Sequence, residues 1–375
     1  MRVAVVTVVH DPRDARIRAR EIEALRQHGH HVTFVAPFSA TGAPMDTNLT
    51  CIDVPRARGL KRRAPVRTAA RWMRQHANDV DVMVVHDPEL VPALISLPSN
   101  CRAVRVWDVH ENNPDAVASR PYVPHVLRPL VRVWLQRLEA RAEQHLHLLL
   151  AENSYQKRFH GPHPIVLNVP WVDEVVTSPA PPQRRVTYVG SITRARGAGA
   201  LLELARLLAA DDIEVHLIGP LDDAFSNEHI RAAHSRGDLQ WHGRLPNSEA
   251  LAAVRDSIAG LALLQDTPNH HDSMPTKVLE YLAQAVPVVT TALPLAEEVV
   301  VTANAGIVVA CNTDDGEVAR EAADAIRRIT ADPGLRNSMG TGGHQLMREQ
   351  YDWHTQGAEF VRTLTCWQDE SRAAG

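Results

Sequence analysis

The opening stretch, Met1-Arg2-Val3-Ala4-Val5-Val6-Thr7-Val8-Val9-His10-Asp11-Pro12, decides how the rest of the chain is read. Its apolar run from Val3 to Val9 does not alternate, as expected of a strand covered on both faces inside a parallel sheet. The run holds no small-residue cleavage site and stops at His10-Asp11-Pro12, so it does not read as a secretory signal. A helical stretch follows, Ala15–Gln27 closed by Gly29, and then a second apolar run, Val32–Pro37. Strand, helix and strand in succession build open α/β sheets.

The same alternation continues outward from this unit. Further strands are expected at Leu49–Val54, Val80–His86, Ala103–His110, Leu146–Ala151 and Ile165–Val169. In the second half they fall at Arg185–Gly190, Ile213–Gly219, Leu239–Gly243, Ile258–Leu264, Val286–Thr291 and Ala305–Cys311, with a helix at Leu201–Leu208 after a glycine pair. The cluster Ser178-Pro179-Ala180-Pro181-Pro182-Gln183 can neither extend a helix nor sit inside a sheet, so it reads as a linker. The expected organisation is a Rossmann-like domain over residues 1–172, a linker over 173–184 and a second Rossmann-like domain over 185–351. A C-terminal helix over 352–375, amphipathic across Trp353–Trp367, is expected to pack back on the first domain. The fold class is α/β: two doubly wound domains facing a central cleft, with ligands at the carboxyl ends of the strands.

Composition agrees. A chain of 375 residues and 41.4 kDa exceeds one ordinary core, and at ~150 residues per domain it makes about two. With 45% hydrophobic and 22% charged residues it is neither disordered nor a coiled coil. Forty Lys+Arg against 44 Asp+Glu leave a net charge of −4, which argues against a dedicated nucleic-acid binder. Cys51, Cys101, Cys311 and Cys366 lie far apart without metal-ligand spacing, as reduced core thiols of a cytoplasmic protein would. No stretch approaches the ~20 apolar residues of a spanning helix. A cytoplasmic location is expected, with peripheral contact at the inner membrane face as the alternative.

Chemistry is sought at the strand ends. In the first half these carry His10-Asp11, His86-Asp87-Pro88-Glu89 and Asp108-Val109-His110-Glu111. Three strands each ending in His beside a carboxylate could place imidazoles on one rim, able to donate to a sugar hydroxyl near neutral pH. A loop hydrogen-bonding role is the plainer reading of each histidine alone. No GxSxG elbow and no HExxH accompany them.

In the second half, Gly190-Ser191-Ile192-Thr193-Arg194-Ala195-Arg196-Gly197 forms a turn before a helix. Its backbone N–H groups and two guanidinium forks suit a phosphate; two solvated arginines in a loop are the alternative. The segment Asp272-Ser273-Met274-Pro275-Thr276-Lys277-Val278-Leu279-Glu280-Tyr281-Leu282-Ala283 reads as a helix with Ser273 at its N-cap and Pro275 in its first turn. That would offer free N–H groups and Lys277 to a diphosphate, with Glu280 one turn further in to accept from ribose hydroxyls.

From Arg56 to Arg74 there are eight cations and no carboxylate, with Trp72 and Met73 on a candidate helix Val66–His76. Contact with an anionic membrane or a lipid phosphate is one reading, and a solvated arginine-rich face is the other.

Four segments carry a resemblance. Asp14-Ala15-Arg16-Ile17, His86-Asp87-Pro88-Glu89-Leu90-Val91-Pro92, Asp108-Val109-His110-Glu111 and Pro275-Thr276-Lys277-Val278-Leu279-Glu280-Tyr281 together resemble the retaining glycosyltransferases of family 4, in order and over nearly the whole chain. The resemblance implies the GT-B fold, a nucleotide-diphospho-sugar donor held mainly by the C-terminal domain, an acceptor held by the N-terminal domain, and no essential metal or other cofactor. It assigns His110, Asp272 and Glu280 to catalysis, with Asp272 standing where the family usually has a glutamate. It assigns Gly190, Ser191, Arg194, Arg196, Gly197, Ser273, Met274, Thr276, Lys277 and Glu280 to the donor. His10, Asp11, Asp14, Arg16, His86, Asp87 and Glu111 fall to the acceptor, and the usual glycine-rich loop after the first strand is replaced by His10-Asp11-Pro12-Arg13-Asp14.

The implied activity is retaining transfer of a sugar to an acceptor hydroxyl on a glycan, a lipid-linked molecule or a secondary metabolite. A GT-B epimerase or pseudo-glycosyltransferase, and a non-catalytic sugar-nucleotide-binding relative, remain the alternatives.

Overall fold

The computed structural model describes residues 1–59, 61–110, 125–174 and 183–374. The chain divides into two compact units, Met1–Asn168 with Trp353–Gly375, and Val169–Asp352. The break falls after Asn168, earlier than the expected boundary at 172, because Val172 is tied to Asp352 of the second unit, whose carboxylate accepts from its N–H at 3.2 Å. Of the expected linker, residues 175–182 lie outside the described ones.

The first unit holds strands β1 (Arg2–Val6), β2 (His31–Ala36), β3 (Thr50–Asp53), β4 (Val82–Val85), β5 (Val104–Val109) and β6 (His147–Leu150). All pair in parallel, in the order β3-β2-β1-β4-β5-β6, with Val3 opposite both Val32 and Val82. The expected strand at Ile165–Val169 reduces to a single bridge between Ile165 and Leu150.

Helices α1 (Glu23–Gln27), α2 (Phe38–Thr41), α3 (Arg63–His76), α4 (Val91–Ile95) and α5 (Arg128–His145) belong to this unit. Ala69 and Met73 of α3, Val91 and Leu94 of α4, and Leu138 and Ala142 of α5 share one core with Ala4, Val6, Met83, Val85 and Trp107. These three helices therefore form one layer over one face of the sheet. The single helix expected at Ala15–Gln27 is split: Ala15–Ile22 winds as a π-helix before α1. In a π-helix residues five apart are hydrogen-bonded neighbours, which sets Arg16 and Glu21 on one buried face.

The second unit repeats the plan with β7 (Arg185–Val189), β8 (Glu214–Ile218), β9 (Gln240–Trp241), β10 (Gly260–Ala262), β11 (Val288–Thr291) and β12 (Gly306–Val309). They too are parallel, in the order β12-β11-β10-β7-β8-β9. Around them lie α6 (Ala198–Leu208), α7 (Ala224–Arg236), α8 (Asn247–Arg255), α9 (Pro268–His271), α10 (Thr276–Ala283), α11 (Pro294–Thr302), α12 (Asp315–Ala331) and α13 (Pro333–Gln350). The last helix, α14 (Trp353–Ala374), returns to the first unit and packs against α1 and β5.

Strands covered on both faces explain the unbroken apolar runs. In each sheet the connections reverse direction between two neighbouring strands, β1 with β4 and β7 with β10, and ligands of such sheets bind at the carboxyl ends there. The four cysteines are free, as expected, but none is fully buried, so they are not core thiols.

Candidate active site

In the first unit, β1 and β4 end side by side at the reversal. The Asp87 carboxylate, fully buried just past β4, accepts from the Val8 N–H at 2.5 Å, the Val9 N–H at 3.2 Å and the Thr7 hydroxyl at 3.1 Å. It thereby holds the turn leaving β1, and its Oδ1 lies 3.3 Å from His10 Nε2. Asp87 thus braces the turn instead of meeting an acceptor, because burial and four local donors consume it.

Beneath this turn lies a buried charged cluster. Arg16 donates from Nε to Asp108 Oδ2 at 2.8 Å, from Nη2 to Asp108 Oδ1 at 2.6 Å and from Nη1 to the Val166 carbonyl at 3.1 Å, and its Nε is 3.0 Å from Glu21 Oε1. The fork is saturated and 2% exposed, so the structure corrects the acceptor role expected for Arg16: it cannot reach a ligand. His86 is also buried, its Nε2 2.8 Å from Glu21 Oε2 and 3.7 Å from Asp108 Oδ2, which likewise removes it from direct acceptor contact.

The electrostatics follow from this packing. Burial alone would raise the Asp108 pKa, but the charge and hydrogen bonds of Arg16 hold it well below the usual carboxylate range. Glu21 is raised, by burial first and then by the Asp108 charge. Burial would lower His86, yet the Glu21 charge and hydrogen bond raise it above the ordinary imidazole value. Asp14 is lowered despite burial, through the charges of His10 and His110.

The three strand-end histidines come together. The His10 and His110 ring centroids are 4.6 Å apart, and those of His86 and His110 5.5 Å. His110 Nδ1 lies 3.3 Å from Asp108 Oδ2, so the carboxylate orients that ring. The side chains of His10 and His110 are 15% and 9% exposed, against 0% for His86, although both ring nitrogens of His110 are themselves buried. Asp14 caps the π-helix by accepting from the Ile17 N–H at 3.1 Å, and Asp11 pairs with Arg13 at 2.8 Å. Glu111 lies outside the described residues. Glu21 was missed from the sequence; its only signal was an acid five residues after Arg16, between apolar helix positions.

In the second unit, β7 ends at Gly190, whose φ of +122° favours glycine. A Cβ there would sit 3.6 Å from Lys277 Nζ. Lys277, on the first turn of α10, is buried, and its ammonium lies 3.6 Å over the centre of the Tyr188 ring. Among the described residues Nζ has no hydrogen-bond partner. Burial first, then the positive charge of Arg196, pushes its pKa well below the ordinary lysine value, against the pull of Glu280. The Tyr188 hydroxyl donates to the Ser191 carbonyl at 2.7 Å, and the positive charge of Arg196 acts on it; Tyr188 was not singled out from the sequence.

The expected N-cap is corrected. Pro275, not Ser273, occupies the N-cap of α10, which begins at Thr276, and proline supplies no capping side chain. Ser273 is instead drawn into the turn after α9, its N–H donating to the His270 carbonyl at 3.4 Å. Met274 and Thr276 are half-buried beside it, and Glu280 is half-buried one turn along α10. Asp272 is exposed at the end of α9, its N–H donating to the His270 carbonyl.

Ser191 donates to Asp222 at 2.5 Å, and the Arg194 N–H to Asp223 at 2.6 Å. The Arg194 guanidinium lies 4.9 Å over the Phe225 ring and is exposed, whereas Arg196 is half-buried beside Lys277 and Tyr188. Gly197 is the N-cap of α6 at φ +88°, where a Cβ would meet the Leu263 carbonyl oxygen at 2.0 Å.

Glu21, His86 and Asp108 each present one ligand atom within 4.8 Å of the others. Arg16 already stands 3.0 Å from Glu21 and 2.6 Å from Asp108, so a divalent cation would be set against a guanidinium. The cluster does not fit a metal.

Residues 174–346 match the sequence profile of the family Glycosyl transferases group 1. No curated protein sequence matches the chain. Among solved structures it is similar to sucrose-phosphate synthase from Thermosynechococcus elongatus, at 15% identity and a TM-score of 0.71, over 100% of both chains. It is similar to WaaG, a glycosyltransferase involved in lipopolysaccharide biosynthesis, at 14% identity and a TM-score of 0.70, over 97% of this chain and 99% of that one. Anabaena HepE in complex with UDP-glucose matches at 15% identity and a TM-score of 0.70, over 98% of this chain and 100% of that one. The chain has the GT-B fold. The matched residues fall within the second unit.

Proposed function

We propose that this protein is a retaining glycosyltransferase of family 4 type, moving a sugar from a nucleotide-diphospho-sugar to an acceptor hydroxyl without a metal. The observation that carries the reading is the Lys277 ammonium: buried, without a hydrogen-bond partner among the described residues, and beside Arg196 at the end of β7. An uncompensated buried charge is costly, and a diphosphate would supply what it lacks. The matched domain and the HepE complex with UDP-glucose support a nucleotide sugar as that ligand.

In this reading Lys277, Arg196 and the uncapped first amides of α10 stabilise the charge that develops on the diphosphate as the anomeric C–O bond breaks. The acceptor oxygen bonds to the anomeric carbon on the face the diphosphate leaves, and its proton passes to a departing phosphate oxygen. Glu280 takes the ribose hydroxyls, and Asp272 contacts the donor sugar. His110, oriented by Asp108, donates to the transferred sugar, with His10, Asp11 and Asp14 around the acceptor. His86, Asp87 and Arg16 position these groups from below.

The test is incubation with UDP-, GDP-, ADP- and TDP-sugars, with and without acceptors, followed by product NMR. Retained anomeric configuration, insensitive to EDTA, is expected. His110→Ala should keep nucleoside-diphosphate binding and lose turnover. Conversion of the sugar nucleotide with no acceptor present would make the protein an epimerase, and binding without any turnover would make it a non-catalytic relative.

A further inference from the structure

Large apolar side chains left in solvent are few among the described residues, and they are not scattered. Apart from Met45 and Val301, they are Val126, Leu127, Leu130, Val133 and Trp134, exposed by between 42% and 82%. Spacings of three and four residues put Leu127, Leu130 and Trp134 on one side of α5 and its entry turn. Arg137 and Arg141 extend the same stripe, beside a groove of about 460 Å³ that Trp134 shares with Pro92 and Ile95 of α4.

This stripe belongs to the layer formed by α3, α4 and α5, whose inner sides share one core. On α3, Arg63, Arg67, Arg71 and Arg74 are exposed, and the helix contains no acid. The acids of α5 are engaged inward: Glu139 is buried against Arg158, and Glu143 accepts from the His160 and Gly161 N–H groups at 2.7 Å each. The layer therefore shows solvent an apolar patch flanked by Arg63, Arg67, Arg71, Arg74, Arg137 and Arg141, with no carboxylate paired to them among the described residues. Residues earlier suspected of apolar contact do not supply it: Met73 is buried in the core, and Trp72 is half-buried, its ring centroid 4.6 Å from that of His76. Two copies joined through this face would oppose arginine to arginine, which disfavours self-association.

We propose that the outer face of this layer rests on an anionic lipid bilayer. The exposed α3 arginines, with Arg137 and Arg141 of α5, meet headgroup phosphates, while Leu130, Val133 and Trp134 enter the interface beneath them. No helix among the described residues is long and apolar enough to cross a membrane, so the contact is one of surface docking. The inference rests on α3 and α5 alone and is independent of the transferase reading.

The experiment is flotation of the full chain with phosphatidylcholine vesicles, with and without phosphatidylglycerol, at low and high salt. Binding is expected only to the anionic vesicles and should weaken with salt. The pairs Leu130→Glu/Trp134→Glu and Arg67→Glu/Arg71→Glu should each lower partitioning by about tenfold or more, with Val301→Glu as the unaffected control. The milder Trp134→Phe should still float but lose fluorescence quenching by brominated lipid, a readout that misfolding would not mimic. Failure of the wild type to bind anionic vesicles, or undiminished binding of Leu130→Glu/Trp134→Glu, overturns the proposal. A dimer seen by light scattering and abolished by that pair overturns it as well, assigning the face to a second copy.

Discussion

Replacing Lys277 with methionine tests the donor site most sharply, because two quantities should move in opposite senses. Methionine keeps an unbranched apolar stem against Tyr188 but removes a buried ammonium that has no hydrogen-bond partner among the described residues. The free protein should therefore be unchanged or stabilised by about 1 kcal/mol, as relief of an uncompensated buried charge predicts. Diphosphate binding should weaken. One phosphate charge at about 4 Å from the ammonium is worth about 4 kcal/mol at an effective dielectric of ~20. Desolvating the anion takes part of that back, leaving about 3 kcal/mol, or roughly a hundredfold in Kd, within the range for truncating a buried charged partner.

The assay is calorimetric titration with UDP, GDP, ADP and TDP, alongside thermal melts of the free protein. A pH experiment adds a second axis. Burial makes folded Lys277 release its proton below the ordinary lysine value, so between that point and about 10.4 the unfolded chain binds more protons. Stability of the free protein contributed by this group should rise with pH across the window, and Lys277→Met should lose the rise. A bound diphosphate restores the proton, so binding in the window should take up a proton, read from buffers of different ionisation heat. A Kd within threefold of wild type, whatever the melting temperature, would refute the assignment.

Four further outcomes follow from the packing. Asp108→Asn removes the carboxylate that binds the buried Arg16 guanidinium at two nitrogens and leaves it only Glu21, and urea titration should show a loss of about 3 kcal/mol. Gly197→Ala forces a Cβ against the Leu263 carbonyl at a positive φ, and its unfolding midpoint should drop by an amount equivalent to at least ~2 kcal/mol. His86 holds its proton more tightly folded than unfolded, so its contribution is complete below about pH 6.5 and is lost as pH rises through its folded value. Glu21→Gln removes the carboxylate that retains that proton, and the difference between variant and wild-type denaturation curves should carry this pH dependence.

Much of the candidate site was legible because its residues follow strands. Once Val3–Val9 and Val80–His86 are read as buried strands, His10 and His86 must stand at their carboxyl ends, and parallel pairing brings those ends level. Gly190 was legible for the same reason, and Lys277 from its place in the first turn of a helix that proline opens. Glu21 was not, because an α-helical reading of Ala15–Gln27 puts residues five apart on different faces, and only the π-helical turn unites it with Arg16. Nor could residue type separate Arg194 from Arg196: one is exposed over Phe225 and the other is half-buried, its charge acting on Lys277 and Tyr188.

The amino-acid order alone determined two parallel-stranded α/β halves, since apolar periodicity and glycine and proline punctuation act over short spans of chain. Tertiary structure decided which charges are spent inside and which face out. Arg16 and Asp87 are consumed by partners distant in sequence, the Lys277 ammonium has no hydrogen-bond partner among the described residues, and Leu130 and Trp134, at spacings that would suit a core, are in solvent. Burial and pairing depend on what arrives from elsewhere in the fold, and no local pattern encodes that.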